Sequence, residues 1–176
     1  MTGTLDDTVR RTLRAIPDYP KPGILFQDIT PVLQDGALFA RVVDAMAAPF
    51  RTRTVTHVMG IEARGFILGG AVAKALDAGF VPARKPGKLP WESVSESYAL
   101  EYGTDALEAH RDALPPDARV LVVDDVLATG GTARAAGRLA RSLGGGLVGW
   151  SFLLEITFLD GRRQLTDAEC TVVVSV

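Results

Sequence analysis

Hydrophobic positions along the chain follow two patterns, and each predicts a different element. Leu5, Val9, Leu13 and Ile16 recur at steps of three and four, which predicts an amphipathic helix over residues 5–16. Further helices are predicted over residues 38–46, 66–78, 105–114 and 133–143. Short apolar runs predict buried strands over residues 55–59, 80–83, 120–123, 147–154 and 171–176. Because strands and helices alternate, we expect an α/β fold with a mostly parallel central sheet flanked by helices.

Two segments interrupt this alternation. Three prolines and a glycine between residues 17 and 23 end the first helix and predict an extended segment, which contains the apolar run 24–26. Residues 84–98 are basic and proline-rich, with little apolar periodicity, and a strand over residues 98–102 is expected to return from them. An exposed basic hairpin is one interpretation of this stretch. A lid over an anionic ligand is favoured, because uncovered loops of this length often close over ligands.

Composition excludes several classes of protein. The chain has 176 residues and a net charge of −2, so no general charge favours nucleic acid or an anionic membrane. A single cysteine, Cys170, excludes an internal disulfide and is expected to be a buried strand residue. No apolar run approaches the roughly 20 residues of a membrane span, and no signal-peptide pattern opens the chain. We therefore expect a cytoplasmic protein.

The most informative stretch is residues 120–132. Four branched apolar residues end in the acid pair Asp124 and Asp125, and a turn rich in glycine and threonine leads into a predicted helix. Carboxylates accept hydrogen bonds from vicinal hydroxyls, and a helix N-terminus beside glycines binds anions. The alternative, a helix-capping acid after a strand, accounts for the doublet but not for the turn that follows. The stretch therefore predicts a sugar-phosphate site at the carboxyl end of a strand.

Other catalytic signatures fail. Gly60 and Gly65 have the spacing of a Walker A loop, but Phe66 and Ile67 follow where lysine and serine or threonine are needed. No Gly-x-Gly-x-x-Gly follows a strand, so the dinucleotide fingerprint is missing. The two histidines, His57 and His110, lie in a predicted strand and a predicted helix without metal-ligand or triad partners, and both are interpreted as structural.

Residues 120–132 resemble the phosphoribosyl pyrophosphate motif of the type I phosphoribosyltransferases. Five further regions resemble the adenine-specific branch of that family, namely residues 16–33, 60–66, 84–90, 98–103 and 153–156. The resemblance implies one phosphoribosyltransferase domain over residues 1–176, with an N-terminal hood (about 1–35) and a flexible lid loop (about 84–101). It also implies a purine salvage reaction in which adenine and phosphoribosyl pyrophosphate (PRPP) give AMP and pyrophosphate, with Mg²⁺ as cofactor and a homodimer as the assembly.

The same resemblance assigns the site. Asp124 and Asp125 would hold the ribose hydroxyls near a Mg²⁺ that PRPP and water bind, with no direct protein ligand expected. The 5-phosphate would be bound by Ala128, Thr129, Gly130, Gly131 and Thr132. Pyrophosphate would be bound by Ile61, Glu62, Ala63, Arg64, Arg84, Lys85 and Lys88, with a cis peptide in the 61–64 turn. Adenine would be bound by Leu25, Phe26, Arg64 and Ile156, and Glu101 would exchange a proton with it.

Gln27 departs from the family pattern, which usually carries a basic residue at this position near the pyrophosphate. Glutamine can donate a hydrogen bond there but brings no charge. Two other functions stay open on the sequence: transfer to another base (hypoxanthine, guanine, xanthine or orotate) and a ligand sensor that regulates transcription. The retained Phe26, Arg64 and Glu101 and the mildly acidic charge argue against the sensor.

Overall fold

A computed structural model describes residues 3–99 and 104–176. Its centre is a five-stranded parallel sheet in the order β4-β3-β7-β8-β9. The strands are β3 (His57–Ile61), β4 (Gly79–Ala83), β7 (Arg119–Leu127), β8 (Gly146–Glu155) and β9 (Glu169–Ser175). The expected parallel sheet and its five strands are confirmed. No helix within the described residues is long and apolar enough to cross a membrane.

Helices and a hairpin cover the two faces of this sheet. The helices are α1 (Leu5–Thr12), α2 (Thr30–Gln34), α3 (Gly36–Ala47), α4 (Arg64–Ala75) and α5 (Gly131–Ser142). Alternate residues of β7 point into two cores: Val120 and Val122 pack with α5, and Leu121 and Val123 pack with α1 to α4. The alternation explains why this strand is apolar at every position before the acid pair.

The first helix is shorter than its hydrophobic pattern predicts. It begins after Thr4, whose hydroxyl caps the backbone of Asp7, and it ends at Thr12 instead of continuing to residue 16. The next residues form strand β1 (Arg14–Pro17), which pairs antiparallel with β2 (Leu25–Asp28). Pairing with β2 makes residues 14–17 a strand. The helical spacing could not show this, because it carries no information about a partner distant in sequence.

The prediction of a helix over residues 105–114 is wrong. Residues Thr104–His110 form strand β6, which pairs along its whole length with β5 (Ser93–Ala99). Leu107 and Ala109 are fully buried, with more exposed neighbours between them, so burial follows the two-residue period of a strand. Alanine, leucine and glutamate are good helix formers, but helix propensity spans less than about 1 kcal/mol per residue for ordinary residues, and strand pairing outweighs it here. His110 consequently lies in a strand, with Trp91 edge-on to its ring.

The basic stretch after β4 is therefore the beginning of a two-stranded antiparallel hairpin. Arg84 and Glu108 exchange backbone hydrogen bonds of 2.8 and 2.7 Å, which joins the start of the stretch to β6. The predicted returning strand over residues 98–102 starts within β5, and residues 100–103 lie outside the described residues.

A turn after β8 is fastened by an ion pair between a buried carboxylate and a half-exposed arginine. Glu155, 8% exposed, accepts hydrogen bonds from the Arg162 guanidinium at 3.0 and 2.8 Å and from the Ser175 hydroxyl at 3.0 Å. Arg162 belongs to the short 3₁₀ helix Gly161–Gln164. The hydrogen bonds from Arg162, followed by the one from Ser175, hold the pKa of Glu155 below its ordinary value despite burial.

We expect Glu155→Gln to lower the free energy of unfolding at pH 7 by about 1–3 kcal/mol, because it removes charge-assisted hydrogen bonds from a buried site. Since the folded-state pKa of Glu155 is lowered, its stabilisation is present above the ordinary glutamate pKa of about 4.3 and is lost as pH falls below it. Urea unfolding at pH 7 and at pH 3 measures the difference. Glu92→Gln, at an exposed ion pair with Arg111, is the control, with an expected change below about 0.5 kcal/mol. An equal loss at both pH values would contradict the assignment.

Candidate active site

Most of the residues predicted to bind sugar phosphate and pyrophosphate line one cavity of about 340 Å³. It lies where β3 and β7 end, at the carboxyl edge of the parallel sheet. The residues that line it are Ile61, Glu62, Ala63, Arg64, Lys85, Asp124, Asp125, Val126, Ala128 and Thr132. Segments from three separate regions of the chain are thus brought to one site, as the sequence predicts.

Asp124 and Asp125 lie near the carboxyl end of β7, and their side chains have different neighbours. The backbone N–H of Asp125 donates to Asp124 Oδ1 at 2.8 Å, and the Asp125 carboxylate is paired with the Arg64 guanidinium. Burial and the neighbouring Asp125 charge raise the pKa of Asp124 well above its ordinary value. The pair therefore concentrates negative charge that a cation or several hydroxyl donors would offset.

The phosphate loop, residues 128–132, surrounds a small cavity of about 80 Å³ whose lining includes Ala128, Thr129, Gly130 and Thr132. Gly130 has a φ of +84°, a left-handed conformation that glycine adopts without strain, and α5 begins at the next residue. The first turn of an α-helix leaves backbone N–H groups without helical acceptors. The loop therefore presents N–H donors and threonine hydroxyls around a space of phosphate size.

The turn between β3 and α4 packs directly against the acid pair. It contains the predicted cis peptide, which lies between Glu62 and Ala63. A Cβ added to Gly65 would lie 2.7 Å from Asp124 Oδ1 and 3.0 Å from the Val123 carbonyl oxygen, so only glycine fits this approach. The glycine thus lets the first turn of α4 contact the end of β7.

The Glu62 carboxylate contacts the residues at the base of the hairpin. It accepts hydrogen bonds from the Lys85 backbone N–H at 2.9 Å and from Lys88 Nζ at 3.1 Å, and Arg84 Nε lies 3.4 Å away. Burial would raise the pKa of Glu62, but these three partners together lower it. Arg84 and Lys88 do not line the 340 Å³ cavity, and Glu62 ties both to its rim.

Lys85 points back into the hairpin. Its Nζ donates to the Tyr98 hydroxyl at 2.8 Å and to the Asp105 carboxylate. Burial opposes the charge of Lys85, but the Asp105 and Tyr98 contacts raise its pKa overall, so it carries a full positive charge at neutral pH. Asp105 was not identified as a site residue from the sequence, because its contact with Lys85 depends on the unpredicted strand β6.

Among the predicted adenine residues, Phe26 is linked to the cavity through Arg64. The Arg64 guanidinium lies 5.6 Å from the centre of the Phe26 ring, and Tyr19 packs edge-on against that ring at 5.2 Å. Leu25 is 56% exposed, and Ile156 follows β8, where its N–H donates to the Leu127 carbonyl oxygen. The 340 Å³ cavity is not lined by Leu25, Phe26 or Ile156. Their joint contact with a base stays a prediction.

Two other residues named from the sequence are Glu101 and Gln27. Glu101, the predicted proton-exchange residue, lies outside the described residues. Gln27 is half-buried in β2, with Ala15 of β1 as its strand partner. Its contact with pyrophosphate is untested.

A support for the phosphate loop escaped the sequence analysis. Gln164 Nε2 donates to the Thr129 carbonyl oxygen at 3.0 Å, and a Cβ on Gly161 would lie 2.1 Å from the Ala128 carbonyl oxygen. A Cβ on Gly130 would lie 2.4 Å from the Gly161 carbonyl oxygen, so the two glycines interlock. The glycine at residue 161 was a possible signal, but its neighbour across the turn is about 30 residues away in sequence.

Comparison with known proteins supports this geometry. The family profile described as "Phosphoribosyl transferase domain" matches residues 30–161. An adenine phosphoribosyltransferase of Myxococcus xanthus is 59% identical over 172 residues, covering 98% of this chain and 94% of the relative. The crystal structure of adenine phosphoribosyltransferase from Rhodothermus marinus superposes with a TM-score of 0.95 at 50% identity, covering 99% of this chain and all of that one.

The similarity extends to more distant enzymes. The adenine phosphoribosyltransferase of Saccharomyces cerevisiae, solved in complex with an imino-altritol bisphosphate and adenine, is 38% identical with a TM-score of 0.90 and covers 96% of this chain and 98% of its own. Sequence and fold agree over nearly the whole length of each of these proteins. The chain belongs to the phosphoribosyl transferase domain family and, within it, to the adenine phosphoribosyltransferases, which are enzymes of the glycosyltransferase type.

Proposed function

We propose that the enzyme transfers the 5-phosphoribosyl group of PRPP to adenine, giving AMP and pyrophosphate in purine salvage. The observation that carries this proposal is the shared cavity: the acid pair, both ends of the phosphate loop and the 61–64 turn line the same 340 Å³ space. A substrate with a diol, a phosphate and a pyrophosphate can contact all three at once. The S. cerevisiae relative, whose solved complex holds adenine, supports the choice of base.

The acid pair and the phosphate loop would hold the ribose phosphate. The loop N–H groups and the hydroxyls of Thr129 and Thr132 bind the 5-phosphate, and the carboxylates of Asp124 and Asp125 accept hydrogen bonds from the ribose hydroxyls. The C1–O bond to pyrophosphate breaks and pyrophosphate departs with the electron pair, which leaves the ring with oxocarbenium character. Two carboxylates near the ring stabilise that positive charge.

Binding of pyrophosphate would exchange one set of ion pairs for another. In the structure Arg64 is paired with Asp125, Lys85 with Asp105, and Lys88 with Glu62. These acids hold the cations at the cavity rim until a more highly charged anion arrives. Arg64, Arg84, Lys85 and Lys88 then stabilise the departing pyrophosphate together with the backbone of Ile61 to Ala63. The proposal explains why the cations are already arranged around the site.

Adenine would bind beside Arg64, between Phe26 and Ile156. Stacking on the Phe26 ring uses an aromatic face that already contacts the Arg64 guanidinium. The backbone C=O and N–H of Leu25 meet the 6-amino group and N1, so a 6-oxo purine would leave the carbonyl without a donor. Adenine N9 supplies the electron pair for the new bond to C1, while Glu101 exchanges a proton with N7.

Mg²⁺ fits the chemistry of the acid pair. Carboxylate oxygens are the ligands that this ion prefers. The pKa of Asp124 is raised by burial and by the neighbouring Asp125 charge, and a nearby cation would favour the charged carboxylate. We expect Asp124 and Asp125 to lie near the hydrated ion that accompanies PRPP. When bound, the ion supplies positive charge to the pyrophosphate group.

We also propose a homodimer. The apolar face of α1 does not require a partner, because Val9 is fully buried within the chain. A better candidate is the surface around α4 and the edge strand β4, where Ile67 is 50% exposed and Phe80 is 38% exposed. Large apolar side chains exposed together favour a protein contact.

The reaction is tested by incubating the enzyme with PRPP, Mg²⁺ and each base in turn while measuring pyrophosphate release. We expect release with adenine at a kcat/KM at least about 10³-fold above that with hypoxanthine or guanine, since a missing donor leaves a buried acceptor unpaired. Turnover with a 6-oxo purine but not with adenine would overturn the choice of base. Binding of PRPP without turnover of any base would instead favour the sensor.

Replacement of Phe26 tests the stacking surface. We expect Phe26→Ala to raise the KM for adenine about tenfold while leaving the KM for PRPP within about twofold, because the lost ring contacts the base alone. Phe26→Tyr keeps the ring and should behave like the parent. Phe158→Ala is the control, since that side chain is 82% exposed. An unchanged KM for adenine in Phe26→Ala would remove the stacking role.

Replacement of Gln164 tests the support of the phosphate loop. We expect Gln164→Ala to raise the KM for PRPP about fivefold, the loss of one neutral hydrogen bond, with little change in the KM for adenine. Gln164→Glu should be at least as impaired, because a carboxylate cannot donate to the Thr129 carbonyl oxygen. The exposed Gln34 supplies the control, Gln34→Ala. Equal changes in both KM values would indicate general damage to the fold, not loop support.

A further inference from the structure

A second, larger cavity lies outside the proposed active site. Its volume is about 500 Å³, and it is bounded by α5 on one side and by residues 163–167 on the other. None of the residues that line it also lines the 340 Å³ cavity. Its size falls in the range of small-molecule sites. The proposed reaction assigns no role to it.

Arginines dominate the wall of this cavity. Arg134, Arg138 and Arg141 are spaced four and three residues apart on α5 and so share one face of the helix, and Arg163 lies across the cavity. Asp167 is the one carboxylate among the lining residues. The protein as a whole carries a net charge of −2, so this cluster does not reflect a generally basic surface.

Three of the four arginines pair with nearby acids. Arg138 pairs with Glu96 at 3.1 Å, Arg141 with Asp167, and Arg163 with Asp160 at 2.6 Å. Within residues 3–99 and 104–176, Arg134 has no acid within 4.0 Å. Like charges at positions i and i+4 of a helix repel, and Glu96 offsets the charge of Arg138 alone. An anion beside Arg134 would therefore stabilise this part of α5.

The base of the cavity adds a neutral hydrogen-bond donor. Trp150 lines it and is otherwise fully buried, and its indole Nε1 has no acceptor among the described residues. Gln164 lines the same wall and also donates to the Thr129 carbonyl oxygen of the phosphate loop. An occupant of this cavity would therefore lie one side chain from that loop.

We propose that this arginine cavity is a second anion site that binds a nucleoside polyphosphate. Guanidinium groups bind phosphate oxygens through paired hydrogen bonds, and guanidinium groups on opposite walls match a chain of phosphates better than a single one. The volume leaves room for a nucleoside beside the phosphates. Gln164 also supports the phosphate loop, but the site uses none of the residues proposed to contact the substrates of the transfer reaction.

Isothermal titration calorimetry with ATP, without Mg²⁺ and at low ionic strength, tests the proposal on three proteins. The parent and Arg41→Gln, which changes the same charge at an exposed position elsewhere, should bind ATP with equal affinity. Arg134→Gln should bind at least about tenfold more weakly. Because Arg134 has no acid partner, this substitution should leave the thermal unfolding temperature without ATP equal to or above that of the parent.

A competition arm separates this site from the phosphate loop. Saturating ribose 5-phosphate should leave ATP binding to the parent unchanged, whereas displacement of ATP would place it in the active site and overturn the proposal. Absence of ATP binding to the parent, or equal binding by Arg134→Gln, would also overturn it. Should Arg134→Gln fail to fold, Arg138→Gln provides the comparison of ATP affinity, with an expected loss of thermal stability from its broken ion pair with Glu96. These results do not depend on whether the enzyme turns over adenine.

Discussion

The site depends on how β7 is held in the middle of the sheet. This strand pairs with β3 on one side and β8 on the other, and its residues alternate between two buried cores. A shift of one residue would move every core side chain to the wrong face. The pairing register that packs the core therefore also fixes the positions of Asp124 and Asp125. The strand holds the acid pair rigidly in place.

Charge at the cavity is organised in ion pairs. Each of the cations Arg64, Lys85 and Lys88 is paired with a carboxylate. Three carboxylates, Glu62, Asp105 and Asp125, thus hold the cations near the cavity. Asp124 differs from these carboxylates, because burial and the neighbouring Asp125 charge raise its pKa well above the ordinary value.

Support for the phosphate loop comes from late in the chain. The turn that contains Gly161 and Gln164 is fixed to the end of β8 through Arg162 and Glu155, and it presses on the loop at Gly130. The same turn forms one wall of the arginine cavity. A short 3₁₀ segment thereby connects strand packing, the phosphate loop and a second basic cavity.

Much of the fold could be predicted from the sequence, because the signals were local. A run such as Val120–Val123 identifies a buried strand by itself, and the acids and glycines that follow identify a phosphate site from their chemistry. The turn at residues 61–64 was likewise assigned from its sequence, and the structure places it beside those acids. The choice of Phe26 and Ile156 for adenine came from resemblance and not from periodicity.

Only the tertiary structure decided the features that depend on partners distant in sequence. Residues 14–17 and 104–110 became strands because β2 and β5 pair with them, against local helical signals. The Lys85–Asp105 pair followed from that pairing, and the Gly130–Gly161 contact from the path of the chain after β8. Helical spacing and residue preference describe a segment alone, whereas pairing energy and close approach belong to two segments and arise only when the chain has folded.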